Sequence, residues 1–461
     1  MSPTARPSAP RRLPLLRKSL PALLPALLAA CGGGGDNGYT VPPAVSCEVA
    51  DQKTWLRDFF GQWYFWYRLA PSPDPAPYAG VDDYFNALLY TGTSPSFPSD
   101  RWSYYESTES FNRFFGDGQT LGYGLAVAGL EVRGLPDEPL FVRYVEPLSS
   151  AAAQGVRRGD RVLALNGRPV SELIAADDFS LLVPELPGQQ LTVDLSTAQG
   201  ARQVVLTGSV FALAPVPVRT VFTTPLGRKV GYVMLNNMIN QAEAPLEAAF
   251  QALRAEGAQE LVIDLRYNGG GLISVAATMA SHVAGAPVAG QAFSTLLYND
   301  QRAGINNQTY VFRNLGRAIN ASRVYVLAGP RTCSASEQLI NGLRPFVDVV
   351  VIGDTSCGKP VGFLPQSSCG KTFSTVNFEA VNARNEGRYW DGLEASCRVA
   401  ESYQQPLGSP DESLLKVAAE HVDSGSCPAS LAAVGLKRPL RLLAPRDRRP
   451  EPGERQGMIA R

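Results

Sequence analysis

The spacing of apolar residues changes twice along this chain, and that change limits the available folds more than any single motif does. From about Arg219 to Cys427 short apolar runs alternate with longer helical segments, the mark of an α/β layer fold. Val230 to Leu235, Glu260 to Leu265, Arg323 to Ala328 and Val347 to Ile352 read as strands, and Glu243 to Glu256, Leu272 to Val283 and Ala335 to Leu343 as helices. From Gln119 to about Leu213 the pattern is β-rich, with strands expected at Leu125 to Val132, Leu140 to Val145, Arg161 to Leu165 and Gln190 to Leu195. Asn166-Gly167 is a hairpin signal there, and Ser149 to Gln154 reads as a short helix stopped by Gly155. Between Cys47 and about Gly116 the aromatics Trp55, Phe59, Phe60, Trp63, Tyr64, Phe65, Trp66 and Tyr67 crowd into one helical stretch, followed by a second at Val81 to Tyr90. Such a stripe reads as core rather than as a ligand site. The fold class expected is multidomain α/β: an N-terminal helical region (47–117), a small β domain (118–213) and an α/β core (214–428). Gly285 to Asn320 reads as a long excursion near the site, and the Arg- and Pro-rich stretch 429–461 as disordered, with solvated charges.

A length of 461 residues leaves room for about three domains. The 42 basic and 42 acidic side chains cancel, which removes the electrostatic footprint that nucleic-acid phosphates require, so no nucleic-acid partner is expected. At 45% hydrophobic the chain is too apolar to be disordered as a whole. His282 and His421 are far apart in sequence, and neither stands in a ligand spacing or beside a second metal-binding side chain. No metal and no cofactor are expected, and the base of any enzyme built on this chain is something other than histidine.

The first residues read as an export signal. Arg11, Arg12, Arg17 and Lys18 precede a short apolar run, Leu20 to Ala30, whereas a bilayer span takes about 20 apolar residues. The run ends in Leu28-Ala29-Ala30-Cys31, followed by four glycines. This resembles a bacterial lipoprotein lipobox. The resemblance implies lipidation of Cys31 and an exported cell-envelope lipoprotein on the periplasmic face of a membrane, the outer one, with residues 32–46 as a Gly-rich tether. An ordinary secretory signal that contains a cysteine is the other reading, and both mean export. Cys47, Cys333, Cys357, Cys369, Cys397 and Cys427 then form an even set in an oxidising compartment, enough for three disulfides. Cys357 with Cys369 would close a short loop, and Cys47 with Cys427 would tie the ends of the mature fold. Zinc is the weaker reading, because no two cysteines are in C-x-x-C spacing.

In the β region, Leu121-Gly122-Tyr123-Gly124-Leu125, then Pro147, Ala151 and Gly155, then Arg158-Gly159-Asp160-Arg161-Val162-Leu163 and Asn166-Gly167 follow one another in an order that resembles a PDZ domain. The resemblance implies that Gly122, Tyr123, Gly124 and Leu125 form a carboxylate-binding loop, whose backbone N–H groups take the C-terminus of a polypeptide partner.

Three segments of the α/β region could carry chemistry, each at the C-terminal end of an expected strand, where open α/β sheets place their ligands. Asp264-Leu265-Arg266-Tyr267-Asn268-Gly269-Gly270-Gly271 runs through a Gly turn into a helix, and exposed N–H groups at such a turn can hold an oxyanion. Thr332-Cys333-Ser334-Ala335-Ser336-Glu337 opens a helix and, taken alone, reads as a capping box from Ser334 to Glu337. Gly353-Asp354-Thr355-Ser356-Cys357-Gly358-Lys359-Pro360 nearly matches a phosphate-binding P-loop, but Pro360 stands where a hydroxyl must reach magnesium. Ser-x-x-Lys occurs twice, at Ser356 to Lys359 and at Ser368 to Lys371. Neither copy starts a helix as that motif requires in penicillin-binding enzymes.

Taken together and in order, Asp264-Leu265-Arg266-x-Asn268-x-Gly270-Gly271, Ser334-Ala335-Ser336-Glu337 and Gly358-Lys359 resemble the S41 serine peptidases, the tail-specific or carboxyl-terminal processing proteases, whose core follows a PDZ domain. The 25 residues from Ser334 to Lys359 equal the family's interval from nucleophile to base. The resemblance implies a ClpP/crotonase-like protease core and a Ser/Lys endopeptidase. In it Ser334 is the nucleophile, Lys359 the general base, and the N–H groups of Ala335 and of Gly270 or Gly271 the oxyanion donors. Its partners would be polypeptides bound by their C-termini and, through the lipid on Cys31, a membrane. A lysine acts as base only when neutral, which burial favours by lowering its pKa. The chain departs from the family at Phe363, where a glutamine commonly stands, so Glu337 is taken as the orienting third member. The rival reading is a catalytically silent PDZ-containing scaffold lipoprotein; separated Ser334 and Lys359 side chains, with no movable segment to account for it, would favour it.

Overall fold

The computed structural model describes residues 42–429 and 453–460. The expectation for Cys31 and its signal lies outside them. The aromatic stretch is a helix, Val49–Trp63, whose Trp55, Phe59, Phe60 and Trp63 are buried, and Val81–Leu88 packs beside it. Trp66 and Trp102 stack with ring centroids 6.1 Å apart, and Trp390 of the core lies 5.4 Å from Trp102. The aromatic region therefore shares one core with the α/β region.

The main sheet of the β region runs in the order Leu125–Val127, Leu140–Val145, Arg161–Leu165, Gln190–Thr197, Gly200–Thr207, around its own apolar cluster, and Gln119–Gly122 pairs separately with Ser209–Ala212. Asn166 and Gly167 both have positive φ, 48° and 76°, the geometry of a two-residue hairpin that returns Arg161–Leu165 onto Arg168–Pro169. The expected strand from Leu125 to Val132 ends at Val127. Gly129–Val132 is instead a helical turn, so the apolar run there has no periodicity-2 partner.

The core is built on a six-stranded sheet. Arg219–Thr223 pairs antiparallel with Lys229–Met234, and Glu260–Asp264, Arg323–Ala328, Asp348–Gly353 and Cys397–Arg398 follow in parallel. A second six-stranded sheet runs Gly270–Leu272, Gly457–Ile459, Val361–Phe363, Val376–Val381, Ala292–Tyr298, Gln308–Val311. The helix Ala335–Leu343, buried along its whole length, packs against strands of both sheets. The excursion 285–320 thus contributes the hairpin Ala292–Tyr298 and Gln308–Val311 that extends the second sheet.

Two expectations are corrected. The pairing of cysteines is Cys47–Cys369, Cys333–Cys357 and Cys397–Cys427, not Cys357 with Cys369 or Cys47 with Cys427. Sequence proximity misled there, because the fold brings Cys357 beside the start of the Ala335–Leu343 helix and carries Cys369 to the N-terminal helical region. Gly457–Ile459, within the stretch expected to be disordered, is a strand with Met458 and Ile459 fully buried. Three bridges suit an oxidising, extracytoplasmic compartment. Among the described residues no helix is long and apolar enough to cross a membrane.

His421 stands beside Cys397 and Cys427, and Glu337 beside Cys333 and Cys357, a proximity that sequence spacing did not reveal. Bridged sulfurs are not thiolates, so in this state neither group is a metal-ligand set. His282 stacks on Phe250 in the core, where burial lowers it to about 4, and His421 packs edge-on against Tyr325.

Candidate active site

Two turns and one strand end meet at the site. The first turn carries Ser334 at φ 62°, ψ −116°, a conformation that residues with a side chain rarely adopt and that costs about 1–3 kcal/mol. It is imposed by its surroundings. Cys333 N–H donates to Asn268 O at 3.1 Å, Ser336 Oγ to the same carbonyl at 3.0 Å, and Cys333 is bridged to Cys357. Such a sharp turn into a helix presents the hydroxyl, the principle of the nucleophile elbow. Glu337 accepts from the Ser334 N–H at 2.8 Å, which is the return half of the capping box. The serine half is loose: Ser334 Oγ is buried beside the first helical turn without a hydrogen bond of good geometry among the described residues.

The second turn, after Asp348–Gly353, carries Lys359. Its backbone N–H and that of Gly358 both donate to Glu337 at 2.8 Å, and Ser356 Oγ donates to the same carboxylate at 2.5 Å. Burial pushes the Glu337 carboxyl up, and these donors offset part of the shift. The Glu337 carboxylate thus ties the turn of Ser334 to the turn of Lys359 through backbone groups, and among the described residues it makes no hydrogen bond to Ser334 Oγ or Lys359 Nζ. Cys333–Cys357 makes the same connection covalently.

The Lys359 side chain is 1% exposed. Burial lowers its pKa from 10.5 to about 7, opposed by the negative charges of Asp100 and Glu337. Its Nζ lies 3.8 Å from the centre of the Phe363 ring and donates to Gln456 O at 2.6 Å rather than to Ser334. Phe363 therefore occupies the lysine's surroundings where the family pattern has an amide side chain. Sequence reasoning missed Asp100 and Gln456. Asp100 sits in the aromatic region, held by Tyr64 OH and Ser103 Oγ at 2.6 Å each, and no motif connects it to Lys359.

The strand end is Gly270-Gly271. Gly270 N–H is engaged by Asn268 Oδ1 at 2.8 Å, which leaves Gly271 and Ala335 as the candidate oxyanion donors. Met238 takes the other edge of this strand, accepting from Leu272 N–H at 2.7 Å. Asp264 and Arg266 of the same motif serve the fold. Arg266 holds Asp264 at 3.0 Å and Glu412 at 2.7 and 2.9 Å, all of them buried. Arg158 of the β domain joins this network through Glu401 at 2.9 Å and Tyr267 OH at 2.5 Å, docking that domain on the core.

A cleft of about 720 Å3 lies between the β domain and the core. Gly122, Tyr123, Gly124 and Leu125 line it together with Gly269, Gly270, Gly271 and residues 453–457, so the expected carboxylate-binding loop and the expected oxyanion strand open onto one space. Glu146 lines it too, and burial raises its carboxyl to about 7.

The sequence and the fold resemble those of known proteins. Residues 229–377 match peptidase family S41, residues 51–104 the peptidase S41 N-terminal domain, and residues 116–193 the PDZ domain. A carboxyl-terminal-processing protease of Picosynechococcus sp. is 28% identical over 238 residues, covering 51% of this chain and 54% of that protein. The chloroplastic carboxyl-terminal-processing peptidase 1 of Arabidopsis thaliana is 28% identical over 265 residues, covering 56% of this chain and 51% of that protein. The matches span about half the length of these relatives. A solved Bacteroides fragilis structure described as an S41 protease shares the fold, with a TM-score of 0.64 at 24% identity over 80% of this chain and 97% of that one. By these matches and their order, the chain carries an S41 N-terminal domain, a PDZ domain and a peptidase family S41 domain.

Proposed function

We propose that the protein is a serine endopeptidase that hydrolyses peptide bonds of exported polypeptides, capturing their C-termini on the loop Gly122 to Leu125. The single observation that carries this reading is the fully buried Lys359 amine, whose pKa of about 7 is that of a base working near neutral pH. Neutral Lys359 takes the proton of Ser334 as the hydroxyl attacks the peptide carbonyl, and returns it to the leaving amine. The oxyanion is held by the N–H groups of Ala335 and Gly271. Water then hydrolyses the acyl-enzyme, with Lys359 again as base. Cys31 carries a lipid that holds the enzyme at the periplasmic face of the outer membrane, a reading supported by the lipobox resemblance and by a fold with three disulfides.

Ser334→Ala and Lys359→Ala each lower cleavage of unfolded casein by on the order of a thousandfold or more while the circular-dichroism spectrum stays unchanged. Cleavage that persists in both variants would overturn the mechanism. The contact of Lys359 Nζ with Gln456 O instead of Ser334 favours the alternative of a silent scaffold, which predicts no casein cleavage by the wild-type protein either.

A further inference from the structure

The strand Gly270–Leu272, which carries a candidate oxyanion donor, and the strand Val361–Phe363, which follows Lys359, form two walls with the strand Gly457–Ile459 between them. It pairs parallel with the first wall, Gly270 opposite Gly457, Gly271 opposite Met458 and Leu272 opposite Ile459, and with the second through Phe363 opposite Ile459. Gly457 N–H donates to Gly269 O and Ala460 N–H to Phe363 O, each at 3.0 Å. In this parallel register the Gly271 N–H faces the Gly457 carbonyl. That carbonyl and the Ala335 N–H both lie on the side of Gly270 that a Cβ would occupy, so the backbone of residue 457 stands at the Gly271 donor and on the face of Gly270 that Ala335 also borders. One residue earlier, Gln456 O holds the Lys359 amine.

The walls are cut to fit a backbone. A Cβ at Gly269 or Gly270 would strike the carbonyl of Arg455 or Gly457, respectively, and one at Gly362 would strike the Phe378 ring as well as the Met458 carbonyl. The side chains that lead in are matched by charge. Glu454 accepts from Arg331 Nε at 2.8 Å and pairs with Arg143, an arginine from the core and one from the PDZ domain. Arg455 donates to Glu106 and to Ser110 Oγ at 2.7 Å each.

We propose that residues 453–460 are a peptide ligand of the active-site groove bound in cis, which keeps other polypeptides out and marks the subsites of the substrates that replace it. The preferred substrate is an extended strand with an acidic residue at the Arg143 and Arg331 position and a basic residue next at Glu106. Two places further on, at the Gly271 donor, it has a small residue. This rests on the peptidase reading for its effect on rate, but the occupancy itself is independent of catalysis.

The test compares the full chain with its double variant Glu454→Lys/Arg455→Glu, which reverses both charge contacts and leaves the buried residues untouched. Casein cleavage rises about tenfold in the variant as the open form becomes populated. The synthetic peptide Gly-Glu-Arg-Gln-Gly-Met-Ile-Ala added in trans inhibits the variant competitively, and the same peptide with Lys-Glu in place of Glu-Arg does not. Hydrogen exchange at residues 457–460 is slow in the wild-type protein and fast in the variant. Equal casein rates in an active pair of proteins, or fast exchange at 457–460 in the wild type, would overturn the proposal. So would consumption of the segment, seen as mass lost beyond residue 457. If neither protein cleaves casein while the exchange difference holds, the peptidase reading falls and the bound segment stands.

Discussion

Lys359 is the single residue on which the proposed activity depends most. Its amine is neutral only above a pKa of about 7, so kcat/KM for casein rises with pH through about 7 and levels above it. Glu146 titrates in the same window, so the limb must survive in Glu146→Gln; a limb that vanishes there assigns it to the cleft carboxyl. The Phe363 ring stabilises the ammonium form, and Phe363→Leu therefore moves the limb about half a pH unit toward acid, from roughly 0.5–1 kcal/mol of lost cation–π attraction. An unmoved limb would show that the ring acts on packing alone. The nucleophile and base candidates were legible in the sequence because motif order and interval survive any detail of packing. The surroundings that tune them were not, since Asp100 and Gln456 reach Lys359 only after distant segments fold together.

At the scale of elements, the site depends on holding the turn before the Ala335–Leu343 helix against the turn after Asp348–Gly353. Glu337 does this by accepting three backbone N–H groups and one hydroxyl, and Cys333–Cys357 does it covalently. Glu337→Gln brings an amide group against those donors. It lowers kcat by about ten- to a hundredfold and stability by about 2–4 kcal/mol, read by casein turnover and urea unfolding. Cys333→Ser/Cys357→Ser, which opens a bridge of sequence separation 24, costs about 3 kcal/mol in urea midpoint analysis and lowers kcat more than KM. A variant with wild-type turnover would show that Glu337 alone sets the geometry. The capping box was readable from Ser334-x-x-Glu337, but its service to the second turn was not, because the partners lie 19 to 22 residues away in sequence. The corrected disulfides and the strand Gly457–Ile459 share that reason: each is a long-range pairing with no local pattern to announce it.

At the scale of the whole molecule, the three-part organisation was legible from changes of periodicity, and its function comes from how the parts meet. The charge of Asp100 in the aromatic region acts on the lysine, the PDZ domain shares a cleft with Gly270 and Gly271, and Arg158 fastens that domain to the core across the Glu401 and Glu412 network. Arg158→Ala removes a buried guanidinium from that network. It loosens the PDZ domain by about 3 kcal/mol, seen as faster hydrogen exchange at its core-facing strand Leu140–Val145. Unchanged exchange there would mean that docking rests elsewhere.

In the proposed mechanism one buried lysine activates one buried serine. That activation is tested most directly by the rate at which a fluorophosphonate labels the Glu454→Lys/Arg455→Glu protein, with the modified residue located by mass spectrometry. The account predicts a single adduct on Ser334 that forms faster as pH rises through about 7 and is lost in the same protein carrying Lys359→Ala. Labelling that ignores Lys359, or a wild-type dyad that takes no label at any pH, would contradict it.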